Sequence, residues 1–360
     1  ADYAVGMNGY KARWGGASAF RGDTFRGGVS YHYGVRNLTT PSPSQVWQTQ
    51  NEATEGVIRF HADILSSAIP EEQYDVYYNH NSIAIMNCNV RLPKVSYAAT
   101  TSFAGAVDYT IDLTKYYATV TGVTGIGQYF TVTDTDAAKW EDSELVEMYA
   151  DIVYNDGTQQ SYKVRRNTGN RVYLSGLTQA LNNNMSVMDT VAFFDGNGAT
   201  VFGGDPGISY KAMKITVPTA NTVEGFLKLG GYVAGMTMPF TVPLEWDFTD
   251  TQAPNIQMYQ SDRGTKSAYR QGPPRRTLQG QVVGDVNRWR EGFRGVMSRI
   301  ADYAMRPIVL VTDHNRPNNN MLYCRYNGPT TNDNTAWKYN AETAQWERVG
   351  NLGVEFVEEV

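Results

Sequence analysis

Residues 149–157 read Tyr149-Ala150-Asp151-Ile152-Val153-Tyr154-Asn155-Asp156-Gly157. Side chains on a strand alternate between its two faces, and Tyr149 to Tyr154 shows that period of two. Asn, Asp and Gly tolerate the positive φ of a tight reversal, so the stretch predicts a strand that turns into a hairpin. The same grammar recurs on both sides. Val57, Arg59 and His61 alternate with Ile58, Phe60 and Ala62, Tyr77 to Val90 alternates in the same way, and Asp195-Gly196-Asn197-Gly198 predicts another hairpin turn. From 56 to about 245, short strands follow one another with short helices expected only around Asp142–Met148 and Leu177–Leu181. Many short strands at regular spacing describe a β-sandwich or jelly roll.

Composition points the same way. The 360 residues include 34 Gly, 24 Tyr, 13 Phe and 7 Trp, with 41% hydrophobic and 19% charged residues, which excludes a disordered chain. At roughly 150 residues per domain, two domains are expected and three allowed. The class is mainly β, α+β overall. A net charge of −5 argues against non-specific nucleic-acid binding by the whole molecule, and no direct sequence-specific nucleic-acid binding is expected. No run approaches the 18 or so apolar residues of a spanning helix, so no membrane partner is expected. Cys88 and Cys324 are too few for a disulfide scaffold or a Cys-rich zinc site, and two reduced, packed thiols are expected. Ala1 to Tyr10 lacks the pattern of a secretion signal, and Ala1 suits a removed start methionine, so synthesis in the cytoplasm is expected.

Catalytic motifs are missing from the sequence. His32, His61, His80 and His314 stand singly, with no HExxH spacing, and there is no GxSxG elbow, Walker loop or GxGxxG turn. Asp313-His314 follows an apolar strand but reads as a turn. Asp134 and Asp136 lack the glycine and distal glutamate of a calcium loop. The expectation is a protein that is not an enzyme and carries no cofactor.

The two ends differ in texture from the middle. Residues 1–36 are rich in Gly and aromatics, and Asn37-Leu38-Thr39-Thr40-Pro41-Ser42-Pro43-Ser44-Gln45-Val46-Trp47 reads as an extended linker ending on a hydrophobic anchor. Near the other end, Arg276 to Val283 predicts a strand and Asp285 the cap of one main helix through about Met305, with Val286, Trp289, Phe293, Val296, Ile300 and Ala304 as its apolar stripe. Pro307 ends it, and Ile308-Val309-Leu310-Val311 reads as a buried strand. Further strands lead to a last one that sets Leu352, Val354 and Phe356 on one face and Glu355 and Glu359 on the other. Between Arg263 and Arg306, ten Lys/Arg face three Asp/Glu, a local charge of +7 that leaves −12 for the rest.

Two groups of motifs resemble a known arrangement. The 37–47 run, together with Tyr210 to Val217 and Gly225 to Gly235, is similar to the opening and close of discoidin-like jelly rolls in bacteriophage tail proteins. Gly272 to Leu278, the helix, Arg306 to Asp313 and Gly353 to Val360 resemble the belt domain of long-tailed phage distal tail proteins, which assemble as rings where the tube meets the tip. The resemblance implies a tail-tube-like belt made of 1–36 plus 245–360 and a jelly roll over 37–244. The stretch around 95–205 exceeds a minimal jelly roll and is expected to hold an extra sub-domain. It also implies a structural virion protein of the tail tip or baseplate, partnered by its own copies, the tail tube, the hub and the fibres, and located in the virion after assembly in the host cytoplasm.

A closed ring needs two complementary patches on every subunit. Arg288, Arg290, Arg294 and Arg299 on the helix, against Glu355, Glu358 and Glu359 on the last strand, are the candidate pair. The alternative functions are a receptor-recognition module that holds a host glycan, and a head–tail joining or capsid decoration protein. For glycan binding, Tyr77, Tyr78, Tyr129 and Trp140 are the candidate stacking rings.

Overall fold

The computed structural model describes residues 3–6, 18–19, 46–49, 52, 55–61, 78–99, 102–124, 129–177, 184–202, 208–210, 212–239, 249–253, 256–260, 266–270, 275–285, 307–312, 321–329, 334–340 and 345–359. The protein is mainly β, built from antiparallel strands. The longest helix among the described residues is the single turn Asp134–Ala137. The chain divides into two compact units, one made of Ala1–Lys11 and Val233–Val360, the other of Ala12–Tyr232. The sequence reading set these divisions at 36 and 245.

In the unit built from the two ends, Tyr3–Gly6 lies between Gly231–Pro239 and Ile308–Val311, antiparallel to both. The order continues through Met321–Pro329, Gln345–Glu358, Arg275–Asp285 and Thr249–Ala253. Ile308, Val309, Leu310 and Val311 are all fully buried, which is why this strand reads as an unbroken β-branched and leucine run. Each such side chain contributes about 1.5–3 kcal/mol relative to exposure. The 14-residue strand Gln345–Glu358 serves three neighbours: its first half pairs with Asn334–Asn340, its last residues with Met321–Pro329, and Val349 to Val357 with Arg275–Asp285. Val354 and Phe356 are fully buried on one face, while Glu355 is part-exposed on the other. Asp285, expected as a helix cap, is the last residue of its strand and faces Val349. The helix expected beyond it lies outside the described residues.

In the other unit, Ser18–Ala19, Gly56–His61, Ala212–Val217, Lys94–Ala98 and Val107–Thr110 form a five-stranded sheet in that spatial order. Trp47 is fully buried and pairs with Leu229; a Cβ on Gly56 would stand 2.4 Å from its ring, so only glycine lets the indole lie against that strand. Ser82–Met86 is buried along its whole length and pairs with Gly198–Val201, so its true pattern is burial on both faces in place of the expected alternation.

Residues 116–194 close into a six-stranded antiparallel barrel. The order is Tyr129–Val132, Arg171–Ser175, Gln159–Thr168, Tyr149–Val153, Thr190–Phe194, Tyr116–Val123 and back to the first. Alternate residues fill the inside: Ala118 and Val120, Phe130 and Val132, Tyr162 and Val164, Val172 and Leu174, Val191 and Phe193. The interior is a packed core, as a barrel of this size requires. The Asn155-Asp156-Gly157 hairpin forms as its residues predict, with Gly157 at φ +83° and Tyr154 N donating to Thr158 O at 2.9 Å.

Two turns differ from expectation. Asp142–Met148 is a chain of turns, not a helix, because Ser143 and Glu147 sit at φ +70° and +71°, outside the right-handed helical region. Asn167, fully buried, fixes this segment: its Oδ1 accepts from Leu145 N at 3.0 Å and its Nδ2 donates to Glu141 O at 2.8 Å. Asp195–Gly198 is a tight turn but not a hairpin, since the strands on either side of it join different sheets. Gly196 N–Cα geometry there is left-handed (φ +85°), its carbonyl accepts from Cys88 N at 2.9 Å, and a Cβ would stand 2.5 Å from Cys88 O.

Candidate functional site

The final strand's carboxylates already have partners in their own unit. Glu355 accepts from Gln279 Nε2 (2.9 Å) and Asn327 Nδ2 (3.0 Å), Glu358 accepts from Arg276 N (2.9 Å), and Glu359 pairs with the Arg325 guanidinium. Arg288, Arg290, Arg294 and Arg299, their expected counterparts, lie outside the described residues.

The four candidate stacking rings separate. Tyr77 and the side chain of Tyr78 lie outside the described residues. Trp140 corrects the sequence reading: it belongs to the barrel core, 7% exposed, with its ring edge-on to Tyr116 (5.6 Å) and Phe193 (5.4 Å). No face of it is open to a sugar, and its buried indole N–H has no hydrogen-bond partner among the described residues. Tyr129 is different. It alternates with the inward Phe130, so it stands on the outer face of the barrel, part-exposed and opposite Tyr173 in register.

Tyr129 and Tyr173 meet at 4.9 Å between ring centroids, tilted by 44°. The Arg171 guanidinium lies over the Tyr129 ring at 5.6 Å, and that of Arg166 over the Tyr173 ring at 5.7 Å. Arg166 is directed further by its Nε, which donates to Thr168 Oγ1 at 3.1 Å. A register shift between Val164 and Arg166 turns both Arg165 and Arg166 to the exposed side, where a regular strand would have pointed one of them inward. Among the described residues, no carboxylate stands within 4.0 Å of Arg165, Arg166 or Arg171; Lys163, further along the same strand, is paired with Glu147 at 2.7 Å. Asp134 and Asp142, at the turn joining these strands, accept from Asn170 Nδ2 and Gly169 N. The sequence reading singled out Tyr129 but missed Tyr173 and the three arginines. The strict alternation Arg171-Val172-Tyr173-Leu174-Ser175 and the Arg165-Arg166 doublet were the available signals.

Where the barrel meets the 88–115 and 221–228 segments, the polar groups satisfy one another. Arg91 Nε lies 2.7 Å from Asp151 Oδ2 and its Nη1 3.9 Å from Asp112 Oδ1. Lys115 pairs with Asp195, while Glu224 gathers Asn89 Nδ2 (2.7 Å), Tyr149 OH (2.9 Å) and Lys228 Nζ (3.1 Å). Burial pushes the Cys88 thiol up to about 12, against a weaker opposing effect from its hydrogen bond to Val90 O, so this sulfur is held as a packed, protonated thiol. The Cys324 thiol is raised by burial in the same way. Both cysteines are free and buried. Among the described residues there is no group of three or more His, Cys, Asp or Glu placed to hold a metal ion, and no helix long and apolar enough to cross a membrane. Comparison with protein families, with curated proteins and with solved structures finds no match to this chain.

Proposed function

We propose that the protein is a structural component of a bacteriophage tail tip or baseplate, forming a homo-oligomeric ring that joins the tail tube to the distal hub and fibres, without an enzymatic step or cofactor of its own. The observation that carries this reading is the unit made from both chain ends, in which Tyr3–Gly6 is enclosed between Gly231–Pro239 and Ile308–Val311 and everything between is inserted. The motif resemblance implies a belt with an insertion, with 1–36 and 245–360 as the belt; in this unit the N-terminal part is Ala1–Lys11, and Ser18–Ala19 pairs with Gly56–His61 in the other. The basic stretch 263–306 supplies one patch for a head-to-tail contact. Because Glu355, Glu358 and Glu359 are engaged within their own unit, any role for them across a ring interface involves exchanging those partners. The proposed location is the tail of the virion, assembled in the host cytoplasm.

Negative-stain electron microscopy across a concentration series tests the ring, with and without purified tube protein. Closed rings of uniform diameter are expected, and Arg290→Glu/Arg294→Glu is expected to reduce their number without altering the melting temperature. Monomers at every concentration, with and without the tube protein, contradict the reading.

A further inference from the structure

We propose that the outer face of the barrel formed by Tyr129–Val132, Gln159–Thr168 and Arg171–Ser175 binds an acidic polysaccharide, its sugar carboxylates held by the guanidinium groups of Arg165, Arg166 and Arg171. The inference concerns the surface of a single chain and does not depend on ring assembly.

Three exposed guanidiniums stand on adjoining strands, and no carboxylate pairs with them among the described residues, so their donors remain available to an anionic ligand. Two of the three are held in place. Each lies over a tyrosine ring, which favours a cation at its face and limits the rotamer freedom of the long side chain. Arg166 is additionally fixed through Nε by Thr168, which leaves its terminal nitrogens for a ligand. A planar donor fork fixed on a rigid sheet matches a carboxylate, which it engages through two parallel hydrogen bonds. Less is lost on binding, because part of the ordering is already done.

The same geometry separates this ligand class from nucleic acid. Strand-tracking surfaces offer successive open rings on which bases stack. Here the two rings pack against each other at 4.9 Å and each has a guanidinium over it, so they do not form a run of successive open rings. A uronate-bearing glycan carries its charge on the sugar ring and needs the fork more than the platform. A neutral glycan offers no charge for the guanidiniums to engage.

The test uses the full chain and calorimetric titration with oligogalacturonate, a neutral dextran of equal length, and oligo-dT. Oligogalacturonate is expected to bind, weakening as salt is raised, with no heat from dextran. Arg166→Gln/Arg171→Gln is expected to weaken binding about tenfold or more while the melting temperature stays within a degree or two. The charge-preserving Arg165→Lys/Arg166→Lys/Arg171→Lys variant is expected to weaken it as well, because an ammonium lacks the fork. The proposal is overturned if oligogalacturonate shows no binding at millimolar concentration, if the Gln variant binds as the parent does, if the Lys variant is undiminished, or if oligo-dT binds as tightly.

Discussion

At the scale of single residues, the molecule separates charges that are committed from charges that are not. Arg91 and Asp151 are committed: both side chains are 12% exposed and 2.7 Å apart. Burial by itself would lower the Arg91 guanidinium, and Asp151 overrides it; burial pushes the Asp151 carboxyl up, and Arg91 offsets part of that. Removing one partner of such a pair leaves the other charge buried and unmatched. Asp151→Asn is therefore expected to destabilise the protein by about 3 kcal/mol, the low end for a buried pair because Asp112 remains at 3.9 Å. Urea denaturation measures this, and a loss under about 1 kcal/mol contradicts the account. Arg165, Arg166 and Arg171 are the uncommitted set, and the residue types alone do not distinguish the two groups. Partnership is a property of which strands come together, and Tyr129, Arg166 and Tyr173 come from three of them.

Elements show where local patterns suffice and where they do not. Asn155-Asp156-Gly157 makes its hairpin because the chemistry of the turn is contained in its own residues. The buried strand Ile308–Val311 is legible for the same reason, since burial on both faces selects its composition. Asp142–Met148 is not legible: its apolar spacing fits a helix, but the conformation is set from outside by Asn167, 20 residues or more along the chain. Likewise Trp140 looks like a surface aromatic until the barrel closes around it. Closure itself joins Tyr116–Val123 to Thr190–Phe194, a pairing that no local signal specifies. Asn167→Ala would leave Leu145 N–H and Glu141 C=O without their buried partner, and a loss of about 3 kcal/mol is expected. The turn should loosen with it, seen as faster amide exchange at Leu145 and Val146. Unchanged exchange there would mean that the asparagine does not hold the segment.

At the scale of the whole molecule, the barrel has the attributes of an independent body: a contiguous stretch of chain, a closed sheet without edges and a core of its own. Two of the groups that tie it to its surroundings, Asp151 and the Tyr149 hydroxyl, are polar and are readily hydrated if freed. Residues 112–197 produced alone are expected to unfold in a single cooperative transition, with near-ultraviolet circular dichroism from the packed Trp140 and Phe193. A featureless spectrum would show that the core needs the rest of the chain.

The first and last strands of the barrel are hydrogen-bonded neighbours, with Tyr116 opposite Phe193. The chain therefore leaves the barrel beside the point where it came in, and the surrounding unit perceives the whole of 116–194 as though it were one long loop. A genetic exchange confined to that interval swaps one outer wall for another in a single event, provided that the incoming barrel again supplies partners for Arg91 and Glu224. The barrel is in this sense a cartridge, whose outer wall can change in sequence while its inward core residues stay the same.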